Sequence, residues 1–388
     1  MNFDVVVVGS GLVGASLALA LESAGLNLAL IEAQPPQPGA DAADWDSRVY
    51  AISPGSAAFL ARCGVWQELD MTRVSRVEAM RVFGDDGRSE LDFSAYDAGL
   101  RELALIVENR ELQRVLWGAL KRAQHVAVMA PATCKALTLA AQAAQLELSD
   151  GRVLSSRLIV GADGADSWVR AQTAIAVETR RYHQTAVVAN FAITRPHRGT
   201  AYQWFRHDGV LALLPLPGER VSMVWSTREE DAARLIEFAR EDLVAQVAAA
   251  SNGVVGELQL ITPAAAFPLR LQRVRQLALP RLALIGDAAH NVHPLAGQGV
   301  NLGFRDARQL AQVLMERGSQ TDCGDYRLLR RYERARREDI AAMQFATYSL
   351  QRLFNNEIAG LASLRNCGLR LMNRQAQLKN LLVQHAVG

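Results

Sequence analysis

Cysteine is scarce in this chain: Cys63, Cys134, Cys323 and Cys367 are the only four among 388 residues. None share a C-x-x-C spacing and no histidine pattern accompanies them. This excludes a disulfide-built scaffold and a structural zinc module, and predicts reduced thiols in a reducing compartment. A surplus of charge is missing too. Lys and Arg number 42 against 40 Asp and Glu, a net charge of +2, too small to signal a nucleic-acid binder. With 50% apolar and 21% charged residues, disorder is excluded. Long apolar runs are also lacking. The uncharged stretch from Val5 to Leu21 falls short of the roughly 20 residues a spanning helix needs. Three glycines interrupt it, and Asp4 stands where a signal peptide would carry Lys or Arg. The expectation is a protein made and kept in the cytoplasm, able to touch a membrane surface only from outside. No G-x-S-x-G elbow appears, so Ser/His/Asp hydrolase chemistry has no support.

What is present begins at the N-terminus. Phe3–Val8 is a continuous β-branched run, the pattern of a strand buried on both faces. Gly9-x-Gly11-x-x-Gly14 breaks it, a helical stretch follows over Leu12–Ala24, and Leu28–Ile31 is a second buried strand closing with Glu32. In such a βαβ unit the first glycine permits the tight bend, the second lets backbone approach a pyrophosphate, and the third lets helix and sheet pack closely. The helix N-terminus offers unpaired N–H groups to the anion, and Glu32 is placed to accept from ribose hydroxyls. This predicts dinucleotide binding without distinguishing FAD from NAD. Helices are expected over Pro54–Leu69, Asn109–Ala123 and Glu229–Ala250, and short alternating strands over Thr185–Ile193, Ala201–Phe205, Val210–Leu214 and Val221–Ser226. Buried parallel-type strands recur at Leu158–Val160, before Gly161-Ala162-Asp163-Gly164, and at Leu282–Ile285, before Gly286-Asp287.

Those turns, with the loop Pro294-Leu295-Ala296-Gly297-Gln298-Gly299-Val300-Asn301 and the segment Gly161–Ser167 with Arg170, resemble the flavoprotein hydroxylases of the para-hydroxybenzoate hydroxylase fold. His293–Asp306 followed by Tyr332-Glu-Arg-x-Arg-Arg337 is similar to the ubiquinone-biosynthesis hydroxylases, as are Asp46-x-Arg48-x-x-Ala51-Ile52 and Glu108-Asn-Arg110-x-Leu-Gln113. The match runs from about residue 3 to about residue 340, and nothing in 33–45 or 70–105 aligns. The resemblance implies an α/β (α+β overall) protein: a Rossmann-like FAD-binding domain, an inserted antiparallel-sheet substrate domain and a C-terminal helical tail. The expected division is 1–75, 106–178 and 276–338 for FAD, 179–275 with 76–105 for substrate, and 339–388 for amphipathic helices.

It also implies non-covalent FAD held by Gly9, Gly11, Gly14, Glu32, Arg48, Arg110, Gln113, Asp163, Gly286, Asp287, Gly297, Gln298, Gly299, Val300 and Asn301. Pro294–Gly297 would lie near the isoalloxazine, with a helix N-terminus aimed at its pyrimidine end, where the dipole favours an anionic reduced flavin. NAD(P)H would bind transiently, since only one nucleotide fingerprint is present, and O₂ would add at flavin C4a to yield the hydroxylating peroxide. No residue is assigned as general base. Trp204, Phe205, Leu214 and Trp225 are candidates to line the pocket for a polyprenyl phenol, with plain core packing an equal alternative for the aromatic three. His290 and His293 form H-x-x-H without a suitable third ligand, so no metal is expected. The rivals are a prenyl reductase of the same fold, which would consume no oxygen, and a flavin-free scaffold of a biosynthetic complex, which would purify colourless.

Charge is unevenly distributed. From Arg327 onward there are eleven Lys and Arg against four Asp and Glu. Ile340, Met343, Thr347, Leu350, Phe354, Ile358 and Leu361 step by three or four, and Leu364, Leu371, Gln375, Leu378 and Leu382 repeat the pattern. Candidate partners for this tail are an anionic membrane surface on the cytoplasmic face, other ubiquinone-biosynthesis proteins, and a second copy of the chain.

Overall fold

A computed structural model describes residues 1–36, 44–86, 89–291 and 298–354, with 373, 375, 379, 380, 383 and 384 from the last stretch. The first strand, Asn2–Val8, buries Val5, Val6 and Val7 completely. It pairs in parallel with Leu28–Ile31 on one side and Val153–Gly161 on the other. Leu282–Leu284 adds in parallel beyond Val153–Gly161, and Val126–Met129 beyond Leu28–Ile31. Helix Leu12–Glu22 packs against helices Asn109–Arg122 and Gln298–Met315. Val5 to Leu21 is thus a strand and a helix of one βα turn, and among the described residues no helix is long and apolar enough to cross a membrane. Strand adjacency positions the site. Gly9, Gly161–Asp163 and Gly286–Asp287, far apart in sequence, each follow one of three neighbouring parallel strands.

A second sheet, nine-stranded among the described residues, is centred on Val177–Ile193, which pairs antiparallel with Arg220–Arg228 and Ala265–Val274. Gly209–Leu216 and Thr200–Arg206 continue it. The hairpin Ala79–Phe83 and Glu90–Ser94, in a region with no aligned motif, joins the same sheet alongside Thr200–Arg206. A small sheet of Val49–Ile52, Ser75–Val77 and Ala104–Glu108 has its own ladder and packs Val77 and Ile106 against Ala201 and Leu216 of the second sheet.

Three expectations change. The single helix over 229–250 is two, Glu229–Glu237 and Arg240–Ala250, because Phe238 and Ala239 are extended, with ψ of 142° and 158°. The helix from Pro54 ends at Arg62, with only a 3₁₀ turn at Trp66–Glu68 beyond it. The strand expected at Thr185 starts at Val177. Its first half is largely exposed, so it lacks the alternation of a half-buried strand. A register shift between Arg181 and Gln184, with His183 at a φ of 53°, marks a bulge there.

Helix Tyr326–Phe354 buries Leu328, Leu329, Tyr332 and Ile340 against the first domain. The tail stripe at Ile340, Met343 and Thr347 therefore faces the protein itself; the remaining stripe side chains from Leu350 onward, Gln375 apart, lie outside the described residues. Further along, Lys379, Asn380 and Gln384 donate to the carbonyls of Asp92, Asp97 and Ala98, at the edge of the second sheet.

Gly14 sits where the helix meets the turn. A Cβ there would lie 2.0 Å from the Gly9 carbonyl oxygen and 3.0 Å from Ala162 Cβ. Gly14→Ala is expected to destabilise the flavin-free protein by at least about 2 kcal/mol through overpacking, read as a lowered thermal midpoint.

A cofactor crevice at the ends of three parallel strands

Gly9 takes a φ of 99°, and a Cβ on it would lie 2.5 Å from the Ala162 carbonyl oxygen. Gly11 is different: a Cβ there would meet nothing within 4 Å. That open space fronts the N-terminus of helix Leu12–Glu22, whose N-cap Gly11 supplies no side-chain cap. The cradle fits a pyrophosphate, which the uncapped N–H groups and the helix dipole would hold. Glu32, at the end of the next strand, accepts from Ser10 N–H and Ser10 Oγ at 2.7 Å each on one oxygen and from Gln34 N–H at 2.8 Å on the other. It shapes the glycine loop.

In the second turn Asp163 is engaged locally. It accepts from Ser167 Oγ at 2.5 Å and from Val169 N–H at 2.9 Å. Burial pushes its carboxyl above the usual range, against those hydrogen bonds. Arg170 donates to the carbonyls of Ala288 and Ala165 at 2.8 Å each, tying the second turn to the third.

The third turn carries Gly286, at a φ of 60°, and Asp287, which opens onto the crevice. Surrounding protein desolvates Asp287 and raises its carboxyl, with His290, Arg48 and Arg270 pulling the other way. Arg48 is thus close enough for its charge to act on Asp287. The Arg48 guanidinium lies 5.4 Å from the ring centres of both Tyr50 and Phe267, an arrangement that holds it by cation–π attraction. Tyr50, Phe267 and Arg270 were missed by sequence reasoning, and no motif marks them.

The Arg48 segment is fixed by its own acid. Asp46 accepts from the N–H groups of Arg48 at 2.9 Å and Arg110 at 3.0 Å, and donates its own N–H to Glu108 at 2.6 Å. Glu108, 2% exposed, also binds Arg73 at 2.7 Å. The Arg110 side chain reaches the Asp44 carbonyl, and Gln113 accepts from Asn109 at 3.4 Å. Asn190 on the second sheet donates to the Asp46 carbonyl at 2.8 Å, joining that sheet to this segment.

Helix Gln298–Met315 begins at the expected glycine loop. His293 and Pro294, Leu295, Ala296 and Gly297 lie outside the described residues; Val300 packs against the main core. Asn301 is nearly fully buried and donates to the Ala51 carbonyl at 2.8 Å while accepting from Ser53 N–H at 2.9 Å. Its amide side chain therefore braces the Arg48 strand. Asp306 and Arg336, inside runs quoted for other reasons, form the buried ion pair behind Gly286. Full burial pushes Asp306 up, but the charges of His290 and Arg336 outweigh it and hold the carboxyl below the usual range.

The pocket candidates divide. Trp204 and Trp225 are buried in a core with Leu211, Met223, Leu235 and Val247, beneath the helices Glu229–Glu237 and Arg240–Ala250. This places them on the sheet face under those helices, the core-packing alternative for these two side chains. Leu214 clusters with Leu216, Ala201 and the crevice residues Trp45, Val49 and Ala51. Phe205 shares that sheet face but packs toward the hairpin, with Val82, Leu91 and Val210.

Because Gly11 borders open space, Gly11→Val is expected to fold with a cost of about 1 kcal/mol at most yet purify colourless. A folded variant carrying a full complement of FAD would remove the pyrophosphate from this turn.

Residues 2–346 match the family model described as FAD binding domain. Over 387 residues the chain is 36% identical to a ubiquinone hydroxylase of Rhodospirillum rubrum, covering 99% of this chain and 89% of that one. It is 33% identical to the 3-demethoxyubiquinol 3-hydroxylase of Escherichia coli, covering 99% and 98% respectively. Among solved structures, a probable FAD-dependent monooxygenase of Pseudomonas aeruginosa shares the fold at a TM-score of 0.78 and 24% identity, over 95% of this chain and 99% of that one. The motifs, the crevice and these likenesses agree, and the chain belongs to the FAD-dependent hydroxylases of ubiquinone biosynthesis.

Proposed function

We propose that the enzyme hydroxylates the ring of a polyprenyl phenol on the route to ubiquinone, with NAD(P)H as reductant and O₂ as oxidant. The observation that carries this reading is similarity along nearly the whole length to ubiquinone-pathway hydroxylases. FAD, when bound, supplies the activation of oxygen that no side chain can. One oxygen atom enters the ring as hydroxyl, the other leaves as water, and NAD(P)H provides the two electrons.

The protein's part is to hold and enclose. The glycine turn and Glu32 would bind the adenosine and pyrophosphate half, and Asp287 with Arg48 the middle of the cofactor. The crevice-side sheet face bearing Leu214 and Val188 would shelter an apolar ring and chain from water. A phenol is already electron-rich, so it needs little from the protein beyond placement and loss of its proton. Turnover with a prenylated phenol under ¹⁸O₂ should give a hydroxylated product carrying one labelled atom. Product formed without oxygen, or without label, would instead identify a reductase.

A long prenyl chain resides in a bilayer, which gives the basic tail a use. A basic residue beside an anionic leaflet contributes about 1 kcal/mol at best, so attachment would be reversible and salt-sensitive. Since the helix to Phe354 begins in the protein's own core, the informative comparison is the full chain against one ended at Phe354. The full chain should float with anionic liposomes at low salt and detach at high salt. Equal behaviour of both would confine the tail to intramolecular packing.

A further inference from the structure

Behind the third turn lies a buried set of charges with no contact to the crevice. Asp306 is 0% exposed. One of its oxygens accepts from Gly286 N–H at 2.9 Å and lies 2.6 Å from His290 Nε2; the other accepts from Arg336 Nε at 2.7 Å. Arg336 continues to Asp339 and to the Leu302 carbonyl, and Asp339 also takes Arg305. Asp306 and Leu302 lie on helix Gln298–Met315, while Arg336 and Asp339 lie on helix Tyr326–Phe354.

Stability does not account for such an arrangement. Buried ion pairs can often be replaced by apolar residues at no loss, whereas removing one partner is costly. What the pair does do is fix a relation between two parts of the site. Gly286 opens the turn that presents Asp287, and the helix carrying Asp306 begins at the glycine loop. His290 belongs to a two-residue strand paired with Gln272 and Arg273 of the second sheet. The single carboxylate therefore joins the turn, helix Gln298–Met315 and, through His290, the second sheet.

We infer that Asp306, oriented by Arg336, is a positioning residue that sets the Gly286–Asp287 turn against helix Gln298–Met315, so that both meet the same FAD. This rests on the family reading of the crevice and adds to it a residue that touches neither cofactor nor substrate. A neutral amide cannot replace the carboxylate. Both oxygens of Asp306 accept, and Asn would turn an NH₂ group toward either Gly286 N–H and His290 or the Arg336 guanidinium, setting donor against donor.

The test compares Asp306→Asn with Tyr332→Phe. Tyr332 is fully buried on the same helix as Arg336 and donates to the Leu284 carbonyl at 2.9 Å, so it controls for the loss of one buried hydrogen bond from that helix. Three quantities are read: the thermal midpoint without FAD, the FAD dissociation constant from quenching of flavin fluorescence, and the visible circular dichroism of the bound flavin. Asp306→Asn is expected to weaken FAD binding by about tenfold or more, the scale seen when orienting groups behind a ligand site are removed, and to alter the dichroism. Tyr332→Phe should lower the midpoint and leave both flavin readings as in the parent. If Asp306→Asn fails to fold, Arg336→Lys keeps the charge but loses the fork, and should show the same flavin changes in smaller measure. Parental dissociation constant and dichroism in the folded variant, whatever its midpoint, would overturn the inference.

Discussion

The site depends on one close approach, that of the first helix to the turn preceding it. A Cβ at Gly14 would come within 2.0 Å of the Gly9 carbonyl oxygen, and one at Gly9 within 2.5 Å of the Ala162 carbonyl oxygen. Only backbone fits between these three segments. The approach brings the helix N-terminus to the end of the central strand and sets the second turn beside the first. From there the parallel order dictates the remainder. Glu32 ends the strand on one side, and Asp163 and Asp287 follow the two strands on the other. Ligands of open α/β sheets gather at such strand ends, and Gly9, Gly164 and Gly286 all take positive φ there.

A second regularity concerns the acids. Glu32, Asp46, Glu108, Asp163 and Asp306 each accept at least one backbone N–H close to the crevice. A carboxylate bound to amides makes a strong, charge-assisted bond and fixes a loop at the same time. Arg270 adds an ion pair to Asp166 at 2.8 Å in the second turn, whereas Arg48 is held by the rings of Tyr50 and Phe267. Glu32, Asp163 and Asp306 thus use carboxylate oxygens on backbone amides, while the N-terminus of helix Leu12–Glu22 keeps no side-chain cap. Asn190 extends the frame to the second sheet through Asp46, so substrate and cofactor halves share a fixed reference.

Much of the first domain was legible in sequence because its strands are buried on both faces and its turns need glycine. Val5–Val8, Leu28–Ile31 and Leu282–Ile285 are uninterrupted apolar runs; Gly9 and Gly286 follow the first and last, and Glu32 the second. Other parts carried no such mark. The ribbon at 177–184 is exposed and alternates in nothing; Phe238 and Ala239 break a helix without Pro or Gly; Tyr50 and Phe267 gain meaning only when Arg48 comes between them. The Asp306–Arg336 pair stands between these cases. Asp306 falls on the stripe with Leu302, Leu310 and Val313, and Arg336 on the stripe with Leu329, Tyr332 and Ile340. A charge on the buried stripe of each of two helices is itself a signal that the two helices meet and the charges pair.

The second sheet shows how parity could have separated pocket from core. Trp204 and Phe205 are consecutive in one strand and must point to opposite faces, so they cannot both line the crevice. Val221, Met223 and Trp225 share one parity and lie under the helices. The intervening Ser222 and Ser226 share the other, as do Asn190 on the adjacent strand, directly opposite Ser222, and Gln203 two strands away. Val188, Leu214 and Val224 lie on that face too, so it is mixed where the face of Val221, Met223 and Trp225 is apolar. Size favours the core for the large aromatics, where their area is best buried. The mixed face is the one that Asn190 ties to the Asp46 segment.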